Sequence, residues 1–160
     1  MSRIIIAFIL ATVPCLASSS EQSVICDSCQ LAGHFRNIDQ TSFAIKIEDA
    51  IFASADAGDV KSWRGVTQGP PNRFTKMVDV RIGGVAVKIP LRAYSDLGNP
   101  LIPSSIALTR NQDEIFLNLS GGEGSAAYTA RFVILNGKLV RREVSSPATP
   151  DAKPDVMTFD

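Results

Sequence analysis

The chain has 160 residues, of which 45% are hydrophobic and 20% are charged, and its 16 basic residues balance its 16 acidic ones. This composition is typical of one globular domain with a real hydrophobic core and excludes an intrinsically disordered chain. The neutral balance gives no general attraction to nucleic acid, so we expect no nucleic-acid partner.

The N-terminus has the pattern of a secretory signal peptide over residues 1–17. Arg3 supplies the positive charge, an unbroken apolar run follows it, and small residues begin at Ala17. The run is too short for a membrane-spanning helix, which needs about 20 apolar residues. Lipid anchoring at Cys15 is disfavoured because a proline precedes it where a small residue is usual. We therefore predict an exported protein, periplasmic or secreted, with no membrane span after cleavage; the loss of Arg3 takes its formal charge to −1.

An N-terminal segment, residues 18–41, carries the two cysteines that remain after cleavage, Cys26 and Cys29. In an oxidising compartment such a pair forms a disulfide, and this is the interpretation we prefer. One alternative is a redox-active pair of the thioredoxin type. That motif should follow a strand and begin a helix, whereas only eight residues of the mature chain precede Cys26 and the region after the pair is a weak helix.

A second alternative for the cysteines is a metal site. Cys26, Cys29, Gly33, His34 and Asp39 have the spacing C-x2-C-x3-G-H-x4-D, which resembles the retroviral-type zinc knuckle, a module that binds single-stranded nucleic acid. The resemblance covers 14 residues and implies the two cysteines, His34 and Asp39 as ligands, although Asp39 stands where the family has cysteine. Zinc binding needs reduced thiolates, which export disfavours. We predict neither a metal nor a cofactor.

Alternating apolar and polar residues predict a β-rich domain over residues 42–144. The Gly83-Gly84 and Asn136-Gly137 pairs each join two alternating runs, which is the pattern of a tight hairpin. The predicted strands are residues 42–48, 75–82, 85–89, 105–109, 114–120, 126–135 and 138–144.

The strand pattern predicts an all-β fold: a single, antiparallel, hairpin-rich domain that is a sandwich or a partly open barrel. No strand is followed by a convincing helix, which argues against a parallel α/β sheet. Residues 145–160 contain three prolines, which cannot donate to a strand ladder, so we expect them to form a mobile tail.

A glycine-rich segment supplies the candidate binding loop, which consists of Gly121, Gly122, Gly124 and Ser125 with Tyr128 at its edge. It lacks the Gly-Lys-Ser/Thr of a phosphate-binding loop and precedes a strand. Its ordinary interpretation is a connection between hairpins. Its functional interpretation is a loop of small residues and tyrosine of the kind that exported β-domain inhibitors insert into hydrolase active sites.

The sequence contains no recognisable catalytic constellation. A Gly-x-Ser-x-Gly elbow and a His-Glu-x-x-His helix are both missing, and His34 is the chain's single histidine. The prediction is therefore a non-enzymatic binding, accessory or inhibitory protein with a protein or glycan partner. The alternative is an exported enzyme, either a carboxylate-based hydrolase or a thiol-disulfide redox protein using Cys26 and Cys29.

Overall fold

The computed structural model describes residues 23–25, 29–35, 41–53, 60 and 62–160. Within them, ten strands form two five-stranded antiparallel sheets, in the orders β1-β2-β3-β4-β5 and β10-β9-β8-β7-β6. The two open sheets form a single sandwich-like domain, which confirms the predicted all-β class. The strands are β1 Ser23–Ile25, β2 Cys29–His34, β3 Ser42–Ile51, β4 Arg73–Ile82, β5 Val85–Val87, β6 Ala107–Asn111, β7 Glu114–Gly121, β8 Tyr128–Leu135, β9 Lys138–Ser145 and β10 Asp155–Thr158.

The core lies between the two sheets and follows the predicted alternation. In β3 the side chains of Phe43, Ile45 and Ile47 are buried, while the residues between them face outward. In the second sheet the inward-facing apolar residues of β7 and β8 are fully buried, Leu117 and Phe132 among them. Period-two patterning therefore sets which face of each strand enters the core.

The two hairpins with the strongest turn signals form where they are predicted. Gly83 and Gly84 have φ values of 57° and 80°, and Asn136 and Gly137 have values of 51° and 74°. These are the left-handed conformations that a tight two-residue turn requires at both central positions. We predict that the β6–β7 turn begins at residue 110, but it begins at residue 112. The register pairs Arg110 with Ile115 and extends β6 to residue 111.

The first sheet extends before residue 42, where we place the start of the β-rich domain. β2 pairs with β3 along its full length, and Leu31 and Phe35 are buried in the common core. The predicted leader, residues 1–17, and Cys26 lie outside the described residues.

The C-terminal segment also differs from the tail that we predict. Asp155–Thr158 form β10 and pair with β9, as the outermost strand of the second sheet. The three prolines all precede Asp155, so none of them occupies a ladder position in β10. The missing proline N–H groups therefore do not prevent residues 155–158 from pairing.

The connection from β5 to β6 joins the two sheets. Leu97 forms an isolated β-bridge with Arg64, and Gly98 forms one with Phe74 of β4. Pro100 forms a third with Gly121 at the end of β7. Ala93, Tyr94 and Leu97 of this connection are buried in the core. In the part of the chain that the structure describes, no helix is long and apolar enough to cross a membrane.

Candidate binding cleft

A cleft of about 580 Å³ lies where β4 begins, β7 ends and β8 begins. Its lining comes from a wall segment, residues 65–73, from residues 99–101, and from Glu123 with Ala126. The cleft is therefore bounded by loops from both sheets. Loops at the end of a β-sandwich are a usual place for binding sites, because the sheets hold them rigidly.

Asn99 ties the segments that bound the cleft together. Its Oδ1 accepts hydrogen bonds from the backbone N–H groups of Asn72 and Arg73, at 3.0 and 3.2 Å, and its Nδ2 donates to the carbonyl of Gly65 at 3.3 Å. Its backbone oxygen accepts from the N–H of Gly122 at 3.0 Å. Asn99 has a φ of 45°, a left-handed conformation that asparagine tolerates better than most residues. The side chain of Asn99 thus fixes both ends of residues 65–73, and its backbone oxygen holds Gly122.

Close backbone contact at the back of the cleft requires glycine. A Cβ added at Gly65, where φ is +86°, would lie 2.3 Å from the carbonyl oxygen of Gly98. A Cβ added at Gly122 would lie 2.6 Å from the Cα of Gly65. The glycine-rich segment therefore begins as a packing element, since its backbone lies directly against another backbone.

The four small residues of the predicted binding loop fall into two pairs. Gly121 and Gly122 are buried, while Gly124 and Ser125 are exposed. None of these four lines the cleft; the segment contributes Glu123 and Ala126 instead.

Tyr128 does not face solvent at the edge of this loop, contrary to our expectation, and its side chain is only 3% exposed. It is the first residue of β8 and is paired with Gly121, which has no side chain. The phenol fills that space, since a Cβ at Gly121 would lie 2.4 Å from its Oη. Burial, with a contribution from Asp96, raises the pKa of Tyr128 well above its ordinary range. The Oη has no hydrogen-bond partner among the described residues.

The two charged side chains that line the cleft are in different situations. Arg73 donates a hydrogen bond to Asp49, and this bond raises the pKa of Arg73 and compensates its charge. Glu123 is exposed and has no ion pair among the described residues. Its carboxylate is therefore the uncompensated charge of the described lining.

The wall segment 66–69 has unused backbone groups. Within the described structure, no hydrogen bond involves Val66, Thr67, Gln68 or Gly69, and the last three are exposed. Proline at position 70 has no N–H. The wall thus presents a short stretch of free donors and acceptors to whatever occupies the cleft.

A chain of ion pairs lies behind the cleft. Arg142, which is 2% exposed, donates to both carboxylate oxygens of Asp96 and to the carbonyl of Ala93. Arg64 lies 3.9 Å from Asp96 and also pairs with Asp155 on β10. This network connects the wall of the cleft, the inter-sheet segment and the C-terminal strand.

Sequence reasoning finds only part of this network. Alternation correctly places Arg141 and Arg142 on opposite faces of β9: Arg141 pairs with Glu114 and Glu143 on the outer face, and Arg142 enters the core. The partners of Arg142 and Arg64 lie in a loop and beyond a proline-rich connection, where no periodic pattern marks them.

Trp63 packs outside the cleft, against two phenylalanines. Its ring meets Phe52 and Phe74 edge-on, with centroid distances of 5.5 and 6.0 Å. These are favourable geometries for aromatic rings and explain why the single tryptophan is half-buried.

The described part of the N-terminal segment fits both alternatives to the disulfide poorly, but it tests neither, because Cys26 and Asp39 lie outside the described residues. Cys29 begins β2, a strand, whereas a thioredoxin-type motif should begin a helix. Cys29 and His34 are the two ends of this strand, roughly 16 Å apart at about 3.3 Å per residue, which is too far for both to bind one zinc ion. Among the described residues no group of three or more His, Cys, Asp or Glu could hold a metal ion. The disulfide itself stays a prediction, because Cys26 lies outside the described residues.

Comparisons with protein-family models, curated proteins and solved structures gave no match.

Proposed function

We propose that this protein is a non-enzymatic binding protein, exported from the cell, whose ligand occupies the cleft between residues 65–73 and Glu123. The observation that carries the proposal is the convergence of the bounding loops on Asn99, around a volume of about 580 Å³. A pre-formed concave site with a few fixed polar groups is what small ligands and inserted protein segments require.

The groups in the cleft suit binding better than hydrolysis. A carboxylate-based glycosidase needs two carboxyl groups that face each other across the substrate. The described lining supplies one, Glu123, while the carboxylate of Asp49 outside it is engaged by Arg73. A nucleophile activated by histidine is also missing from the described lining. This leaves recognition as the function that these residues support best.

The surface around the cleft also favours a macromolecular partner. Leu101 lines the cleft and is 47% exposed, and Val66 and Pro70 line it too, so the lining combines apolar side chains with polar groups. Exposed apolar residues next to unused hydrogen-bonding groups are typical of interaction sites. An accessory or inhibitory role towards another exported protein follows from such a site.

A matched pair of variants tests whether the cleft is the binding site. Immobilised wild-type protein, Leu101→Arg and Val85→Arg are each exposed to the exported fraction of the producing cells. Val85 is 70% exposed and lies beyond the far end of β4, roughly 30 Å from Arg73 at about 3.3 Å per residue. Both substitutions place arginine at an exposed apolar position, and only one of them lines the cleft.

We expect the wild type and Val85→Arg to capture the same partner and Leu101→Arg to lose it. Retention by Leu101→Arg would contradict the proposal. So would turnover by the wild type on a panel of hydrolase substrates, which would favour the enzyme alternative.

A further inference from the structure

Resting on the proposed function, we infer that the ligand of the cleft is an extended segment of a partner protein and that a basic side chain of this segment pairs with Glu123. Three features of the lining support it: the free backbone groups of residues 66–69, the uncompensated carboxylate of Glu123, and the exposed apolar side chain of Leu101.

The free backbone groups on residues 66–69 favour an extended polypeptide. Among the described residues these four positions make no hydrogen bonds, although they belong to a wall whose ends are fixed at Gly65 and Arg73. An extended peptide offers N–H and C=O groups that can pair with these exposed backbone groups. Main-chain hydrogen bonds supply affinity when an extended peptide is recognised.

The charges select the side chain that the segment carries. Arg73 is compensated by Asp49, whereas Glu123 has no ion pair within the described structure. The cleft is therefore locally negative, and an acidic ligand would gain nothing from the occupied Arg73. A lysine or arginine would gain a charge-assisted hydrogen bond from Glu123.

The apolar part of the lining indicates what neighbours the basic residue. Leu101, Val66 and Pro70 all line the cleft, and Leu101 and Pro70 are exposed to water in the free protein. An apolar side chain of the segment, next to its basic residue, would bury these exposed side chains. A glycan fits less well, because sugar rings stack on aromatic faces and the described lining contains no aromatic residue.

The test uses short peptides selected from a random phage-displayed library on the wild-type protein. The selected peptides are synthesised, and their affinities are measured by calorimetry for the wild type, Glu123→Gln, Leu101→Arg and Val85→Arg. Each peptide is also made with methionine in place of its basic residue, so that a double-mutant cycle with Glu123→Gln isolates the pair.

We expect the selected peptides to share a lysine or arginine beside an apolar residue. Glu123→Gln should weaken binding about threefold to fivefold at low salt, as is usual for an exposed ion pair, and high salt should remove the difference. The same substitution should have no effect on the methionine peptides. Leu101→Arg should weaken all peptides at least about tenfold, because it fills the apolar surface, and Val85→Arg should leave them unchanged.

The possible failures are distinguishable. Acidic or neutral consensus peptides, no selected peptides, or equal affinity of the basic peptides for Glu123→Gln and the wild type would overturn this inference. If acidic or neutral peptides, or a glycan, bound the wild type and lost affinity in Leu101→Arg, the proposed function would stand. Ligands whose affinity is insensitive to Leu101→Arg would overturn both.

Discussion

Two guanidinium nitrogens of Arg142 donate hydrogen bonds to Asp96, one to each carboxylate oxygen, at the place where the two sheets meet. The Nη2–Oδ2 distance is 3.0 Å, and Nη1 donates both to Oδ1 and, at 3.1 Å, to the carbonyl of Ala93. Because Asp96 lies three residues before Asn99, this buried pair anchors the segment that organises the cleft.

Removing Asp96 should therefore be costly. Asp96→Ala leaves the buried guanidinium of Arg142 without its counter-charge, and we expect the free energy of unfolding to fall by about 3–5 kcal/mol. Asp79→Ala is the matched control: Asp79 lies 4.0 Å from Arg81 and both are exposed, so the loss should stay below about 1 kcal/mol. Urea unfolding measures both.

The double variant Asp96→Ala/Arg142→Met tests whether the stability lost in Asp96→Ala comes from the uncompensated charge of Arg142. Methionine removes the uncompensated charge and fills much of its space, so it should recover most of the stability lost in the single variant. Equal losses from Asp96→Ala and Asp79→Ala would show that the Arg142 pair is no stronger than a surface contact.

Asn99 should be essential both to stability and to binding. Asn99→Ala removes three side-chain hydrogen bonds, so its free energy of unfolding should fall by about 2–3 kcal/mol more than that of Asn136→Ala. The two asparagines have similar φ values, 45° and 51°, and no side-chain hydrogen bond of Asn136 is found within the described structure, so the difference isolates the three bonds. Denaturant unfolding provides the measurement.

Partner capture supplies the second readout for Asn99. Asn99→Ala should lose the partner at a temperature where it is still folded, because its side chain no longer holds residues 65 and 72–73 in place, and Asn136→Ala should keep it. Capture by Asn99→Ala at the wild-type level would argue that the cleft does not depend on this clamp.

The hairpins and the hidden contacts show how far sequence reasoning reaches. Gly83-Gly84 and Asn136-Gly137 are predictable because a tight turn imposes its backbone conformation on adjacent residues, and alternation then assigns both strands. Asp96 and Arg142 are 46 residues apart, and Arg64 and Asp155 are 91 apart. Their pairing follows from how the sheets stack, and no local pattern encodes that.

The cleft is predictable in part for the same reason. The glycines predict an unusual backbone, but the sequence does not show that Gly122 packs against Gly65, which is distant in the chain. Tyr128 lies on the same face of β8 as Ala130 and Phe132, which are buried, so the alternation of β8 places its ring in the core and not in the loop.

Tyr128 should affect stability mainly at alkaline pH. Burial raises its pKa above the ordinary value near 10, so the neutral phenol favours the folded state. Its contribution is fully present below about pH 10 and is lost as the pH rises towards the folded pKa, at up to about 1.4 kcal/mol per pH unit. Tyr128→Phe should flatten this alkaline decrease.

At neutral pH the same variant should be as stable as the wild type or up to about 1 kcal/mol more stable, because the Oη has no partner among the described residues. Tyr94→Phe is the control, since burial raises the pKa of Tyr94 as well. A loss of stability of 1 kcal/mol or more in Tyr128→Phe at neutral pH would mean that the hydroxyl is bonded.

Cys26 and Cys29 are the first and last of the four residues that connect the paired residues Ile25 and Gln30. We expect the exported protein to contain no free thiol. Replacement of both cysteines by serine should cost about 2 kcal/mol of stability, because the closed loop is short, and should leave partner capture unchanged. Thiol titration of the denatured protein is the measurement; two free thiols, or lost capture by a folded double variant, would contradict the structural role.

Amide hydrogen exchange in the presence and absence of the captured partner tests whether the ligand occupies the cleft. We expect the partner to slow exchange at residues 66–69 and 123–125, whose amides have no partner among the described residues, and to leave β5 and the β8–β9 turn unchanged. Slowed exchange at β5 or at the outer edge of β10, with residues 66–69 exchanging as in the free protein, would show that the ligand binds elsewhere.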